Sequence, residues 1–86
     1  EVLHLLTSVN DMLAEQIAIY PNPTKGFLVI DTDYLIEKAI IFNIHGSIVE
    51  SQLNENTIDV SNVSNGIYFI EIHTDKGLVR KKFIKN

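Results

Sequence analysis

Three histidines, five serines and a short acidic "DTD" are the first places to look for chemistry in this sequence. His4, His45 and His73 show no metal-ligand spacing such as HxxxH and fall on separate elements. His45 reads as a solvated turn residue and His73 as a solvent-facing residue near a strand end, while His4 sits in the N-terminal leader. Ser8, Ser47, Ser51, Ser61 and Ser64 have neither a GxSxG elbow nor a nearby His–acid arrangement, and read as turn and surface residues. The carboxylates of Asp31 and Asp33 have the hard oxygens that calcium prefers, but no EF-hand spacing follows them. There is no glycine-rich phosphate loop. There is no Cys, which excludes a disulfide, a zinc–thiolate site and a thiol nucleophile. The expectation is a chain with no catalytic, cofactor-binding or metal-binding residue, hence not an enzyme.

Such a chain must be read for what it builds. Its 86 residues suffice for one domain and one modest core, burying roughly 60–65% of the extended surface. A 45% share of hydrophobic residues argues against disorder. A formal net charge of −4 argues against a nucleic-acid partner, which would need a basic face. No uninterrupted apolar run exceeds four residues, as in Ala39–Phe42 and Ile67–Ile70. A membrane helix needs about 20, so no span is expected. The start at Glu1 rather than Met fits a piece of a longer protein, whose remainder would hold an export signal and the main activity.

Four glycines, Gly26, Gly46, Gly66 and Gly77, each precede a strand-like run: "FLVID", "SIVES", "IYFIEI" and "LVRKKFI". Each marks a chain reversal. "NIHGSIV" reads as a hairpin centred on His45–Gly46, and "TDKGLV" as a second with Asp75, Lys76 and Gly77 in its loop. Between turns the period is two. Tyr68, Ile70 and Ile72 share one face, opposite Ile67, Phe69, Glu71 and His73; Ile40, Phe42 and Ile44 lie opposite Ala39 and Ile41; Val79 and Phe83 flank Lys81. The pattern gives about seven strands: Gln16–Tyr20, Phe27–Asp31, Glu37–Ile44, Ser47–Leu53, Thr57–Val60, Ile67–Thr74 and Leu78–Lys85. Short strands at this turn spacing predict an all-β sandwich or barrel. "SVNDMLAEQ" reads equally as a short helix or a polar linker, and Glu1–Leu6 as a strand of a neighbouring domain or of this one.

Two segments remain. In "YPNPTKG", Pro21 and Pro23 lack amide donors and fix φ, so the chain leaves the first strand and turns stiffly into the second. At the other end, Arg80, Lys81, Lys82 and Lys85 supply four of the seven basic residues within six positions. Lysines on an edge strand protect it from unwanted pairing; alternatively the polarised charge is an address read by a receptor.

"YPNPTKG", "IIFNIHGSIVE" and "IDVSNVSNGIYFIEIHTDKGLVRKKFIKN" come in the order and at the terminal position that resemble one family. It is that of the C-terminal sorting domains of the type IX (Por) secretion system, type A. The resemblance covers about Ile17–Asn86 and departs only in that Asn86 trails the last lysine. It implies an Ig-like antiparallel β-sandwich of about seven strands in residues 17–86, with 1–16 joining a covalently linked upstream cargo. It implies as partners a type IX translocon and a cell-surface sortase that removes the domain after export, leaving the cargo on the surface or released. The positions matching its motifs are Pro21, Asn22, Pro23, Gly26, Gly46, Gly66, Tyr68, Lys82, Phe83 and Lys85, with Gly66–Lys85 expected to be the part the translocon reads. Exposed lysines and an unpaired terminal edge would suit capture by strand addition or a homodimer through that edge. The rival readings are an Ig-like adhesion or spacer module and a carbohydrate-binding module. The latter needs an exposed aromatic platform, for which Tyr20, Tyr34, Phe27 and Phe69 are candidates, although the alternation places most aromatics inward.

Overall fold

The computed structural model describes residues 13–50 and 53–86. The seven strands are β1 (Ala18–Tyr20), β2 (Phe27–Asp31), β3 (Ile36–Phe42), β4 (Ile48–Glu50), β5 (Thr57–Asp59), β6 (Gly66–Thr74) and β7 (Gly77–Lys85). They form two antiparallel sheets, one in the order β1-β2-β5 and one in the order β4-β3-β6-β7. The all-β Ig-like sandwich is thus realised with three strands facing four, the fourth strand lying beside the third. Residues 13–15 make a single helical turn, with Gln16 N–H bonded to Leu13 O and Ile17 N–H to Ala14 O. The rest of the "SVNDMLAEQ" reading, Glu1–Leu6 and His4 lie outside the described residues.

Each strand boundary has a local cause. β3 stops at Phe42 because the Asn43 side chain turns the chain: its Oδ1 accepts the N–H of His45 and of Ser47. Gly46 completes the reversal at φ +85°, a left-handed conformation that glycine adopts without steric cost. The β6–β7 hairpin is tighter than the sequence predicts. Gly77 belongs to β7 and pairs with Thr74, leaving only Asp75 and Lys76 in the turn. Thr74 stabilises it by donating its hydroxyl to Gly77 O and accepting Lys76 N–H.

The core lies between the sheets and is built mainly of Leu28, Ile30 and Ile58 from one, and Ala39, Ile41, Tyr68, Ile70, Ile72, Val79 and Phe83 from the other. Tyr68 and Phe83 face each other across β6–β7 with ring centroids 5.7 Å apart. The Tyr68 hydroxyl donates to Ser64 O at 2.7 Å, tying the loop before β6 to the strand, as the tyrosine corner of Ig-like domains does.

One expectation fails. Of the aromatic residues, only Tyr68 and Phe83 are buried. Phe42 and Phe69 are opposite one another on the outer face of the four-stranded sheet, and Tyr20 and Phe27 stand about half exposed on the three-stranded one. The alternation itself is as read; in β3 Ala39 and Ile41 face the opposing sheet, which leaves Phe42 on the outer side.

Two substitutions separate the contributions of this cluster. Tyr68→Phe removes one hydrogen bond to a loop carbonyl and should cost about 1 kcal/mol. Phe83→Ala empties a fully buried site and should cost about 3–5 kcal/mol, a large share of the stability of so small a domain. Urea unfolding monitored by circular dichroism measures both; equal costs would show that Phe83 is not the anchor of the terminal hairpin.

Candidate functional site

β7 is an edge strand, and its pairing parity decides what it offers. In an antiparallel pair, alternate residues direct both backbone polar groups to the neighbour or both away. Ile84 directs its groups away from β6, and by the unbroken register so do Lys82, Arg80 and Leu78.

The proline corner covers one end of this edge. The Asn22 side chain acts as a short piece of strand: its Oδ1 accepts Ile84 N–H at 3.0 Å and its Nδ2 donates to Lys82 O at 3.4 Å. Thr24 then continues as a parallel bridge to β7, its N–H donating to Ile84 O at 2.8 Å and its carbonyl accepting Asn86 N–H at 2.9 Å. The corner itself is held by the fully buried Thr24, whose hydroxyl donates to Phe27 O and accepts the N–H of Phe27 and of Gly26. Pro21 and Pro23 leave no donor to compete with this arrangement. The terminal edge is therefore not bare, as the sequence suggests, but covered from Lys82 O to Asn86. What remains outward-facing without a backbone partner among the described residues is the run from Leu78 to the Lys82 N–H.

Along that run the chain from Leu13 to Thr24 travels beside β7 in the same direction, with Leu13 against Gly77 and Thr24 against Lys85. β1 pairs with β2 instead of β7, so a groove of about 490 Å³ opens between them, lined by Ile17, Ile19, Asn22, Lys81 and Lys82 among others.

The motif residues separate into two groups. Asn22 joins the Lys82–Lys85 segment directly, Gly26 closes the Thr24 turn, Gly66 pairs with Lys85, and Tyr68 with Phe83. Gly46 serves the β3–β4 turn, and no hydrogen bond joins it to the corner among the described residues. The expectation of exposed terminal lysines holds for Lys82 but not for Lys85. Lys85 is buried and its ammonium donates to Val63 O at 3.1 Å, because residues 79, 81, 83 and 85 all point inward. Thr24 is not among the motif positions read from the sequence, and Asn86, which departs from the family pattern, is the residue its carbonyl holds; a threonine between proline and glycine, poised to bond the chain two and three residues on, is the available signal.

The outer face of the hairpin carries its electrostatics. Arg80 donates to Glu71 Oε2 at 2.7 Å, and His73 Nε2 lies 3.0 Å from Oε1. The Arg80 hydrogen bond first, and that of His73 second, hold the Glu71 carboxyl below its ordinary range. At the other sheet, the hydroxyl and backbone N–H of Ser61 do the same for Asp59. No group of three or more metal-ligating side chains converges among the described residues, Asp31 and Asp33 included.

Two predictions follow from these contacts. Asn22→Ala should cost about 1 kcal/mol and should speed amide exchange at Ile84 selectively, since its N–H loses its acceptor; unchanged exchange there would refute the capping role. Glu71 contributes stability above its ordinary pKa, and that contribution is lost as pH falls through the lowered value. Glu71→Gln should therefore destabilise by less than about 1 kcal/mol at neutral pH, the pair being well exposed on the Arg80 side, and the difference should vanish in acid, as urea titrations at both pH values will show.

The profile of the secretion system C-terminal sorting domain matches residues 18–86, the span that holds both the corner and the terminal hairpin. An ulvan lyase of Nonlabens ulvanivorans, NLR42, is 34% identical over 85 residues, covering 92% of this chain but only 16% of the lyase. The chain thus spans about one sixth of the length of that relative. A family of sorting signals and a match to so small a part of a larger enzyme describe an address for export to the cell surface or beyond, and not a catalyst. The chain belongs to the family of C-terminal sorting domains of the type IX secretion system.

Proposed function

We propose that this domain directs a covalently linked upstream cargo across the outer membrane through a type IX translocon, which reads the region Gly66–Lys85, and that a cell-surface sortase then removes it. Residues 17–86 act as the sorting domain and 1–16 as the junction. The observation that carries the reading is the open part of the β7 edge, flanked by a groove and by the exposed side chains of Arg80 and Lys82. An extended segment of the translocon adds to Leu78–Lys82 by main-chain hydrogen bonds, with the Asn22–Thr24 corner setting where the added strand must stop. A homodimer formed through this edge would be confined to the same five residues. The sequence places the sortase cut within Leu6–Gln16, because a protease needs extended, accessible backbone, and the packing of Leu13 and Ala14 narrows that range to the part before Leu13. Leu13 and Ala14 pack against the core and Ile17 is buried, which supports a cut on their N-terminal side.

The test is a periplasmic reporter fused ahead of Glu1–Asn86 in a bacterium with a type IX system. Arg80→Pro removes an outward N–H without touching the β6–β7 ladder, which an edge strand tolerates. Arg80→Ala removes the same side chain and keeps the N–H. Both variants lose the Arg80 side chain, so surface delivery should fall clearly further for the proline variant than for the alanine variant, with both domains folded by circular dichroism. Equal delivery would end the strand-addition mechanism, and mass spectrometry showing a reporter terminus beyond Leu13 would end the proposed cut.

A further inference from the structure

An antiparallel sheet with one solvated face ordinarily turns polar residues outward. The end of the four-stranded sheet nearer the β6–β7 turn does so in part, with Lys38, Glu71, His73 and Arg80 set among Ile40 and Leu78. The other end is apolar except for Lys82. Ile48 is opposite Phe42, Phe42 is opposite Phe69, and Ile67 is opposite Ile84, so register makes one contiguous surface of them. Ile44, in the adjoining turn, extends it beside Ile67. Ile44, Ile48, Ile67 and Ile84 are 65%, 62%, 48% and 39% exposed. Together they present on the order of 400 Å² of apolar surface, the scale at which a patch on a monomer is commonly functional.

We infer that this apolar pole is a docking surface for a protein of the export apparatus that presents an apolar centre flanked by carboxylates. The inference rests on the function proposed above and names the second surface by which the domain is gripped.

Three observations select that occupant. The first is shape. Two shallow concavities of about 240 and 340 Å³ share Asn43 and Ile44, one reaching Phe42 and Phe69 and the other Ile67 and Tyr68. Concavities of this kind take side chains from a protein surface. The second is charge. Lys82 ends the Phe42–Phe69 row and Arg80, which also pairs with Glu71, lies over the Phe42 ring at 5.9 Å, so the β7 border of the patch carries two cations against one carboxylate in a chain whose net charge is −4. An acidic flank on the partner is attracted there. The third is position. Leu13 packs on Gly77, at the turn end of the β6–β7 hairpin, whereas Ile67 and Ile84 are seven residues further along β7, roughly 23 Å away. Cargo enters at the first pole and the apolar patch occupies the second. A second copy of the chain is the weaker fit, because the patch supplies only about half the area that one partner gives to a standard stable interface.

The experiment uses the same reporter fusion. Ile44→Glu and Ile67→Glu place charge on exposed positions that the core does not need, and each should cut surface delivery by roughly tenfold or more. Phe27→Glu, an equally exposed apolar residue on the opposite sheet, should leave delivery unchanged. Lys82→Glu should lower delivery further when combined with either isoleucine variant. Melting curves of the purified domains must show that all remain folded. Delivery of the folded Ile44→Glu and Ile67→Glu variants at the parent level would overturn the inference while leaving the sorting function intact. A concentration-dependent dimer in sedimentation, abolished by Ile67→Glu without loss of delivery, would also overturn it. Failure of the parent fusion to reach the surface would overturn both readings together.

Discussion

The last strand of a chain at the edge of a sheet has one neighbour and a free end, the combination most prone to fraying. Here the closure comes from two residues far away in the sequence. Asn22 bonds to Ile84 and Lys82 across 62 and 60 residues of sequence, and Thr24 clamps Asn86. The side-chain amide of Asn22 carries a donor and an acceptor at a spacing that imitates a backbone residue, so a corner too stiff to form a strand still satisfies one. Because these bonds join the first turn to the last residues, the terminal hairpin is fully held only when the complete domain is folded.

Local chemistry in the sequence carried most of the fold. The alternation in Gly66–Thr74 and Leu78–Lys85, the turn at His45–Gly46 and the punctuation by glycine are properties of neighbouring residues, and they place seven strands where seven are found. What alternation alone does not decide is which face turns inward. In β3 both sides are apolar, and it is Ala39 and Ile41 that are buried, facing Leu28, Ile30 and Ile58 of the opposing sheet. The partnership of Asn22 with Ile84 is equally non-local. Lys85, by contrast, was legible: it lies two residues beyond Phe83, four beyond Lys81 and six beyond Val79, and a strict period of two puts all four on one face. Its positive charge obscured that arithmetic.

These placements change what the family motif means physically. Phe83 and Tyr68 are buried and stacked, Lys85 is buried and bonded to Val63 O, Gly66 opens the strand that pairs with it, and Asn22 caps the edge. They hold the hairpin. Of the ten motif positions, Pro21, Asn22, Pro23, Gly46 and Lys82 are exposed, and the other five are buried or half-buried. Such a frame leaves outside the outward backbone of Leu78–Lys82, the cations beside it, and the apolar pole around Ile67. One part of the motif thus builds the surface on which the other part is displayed.

The frame also divides the molecule by task along the hairpin. At the Gly77 end the chain enters, packed by Leu13 against the start of β7. At the Lys85 end the corner, the terminal residues and the apolar face converge. β7 is paired with β6 over its whole length, so the two ends are joined by one continuous ladder. Asn22 and Thr24 close that ladder at its Lys85 end, where an edge strand with a free terminus would otherwise fray, and they do so by hydrogen bonds alone.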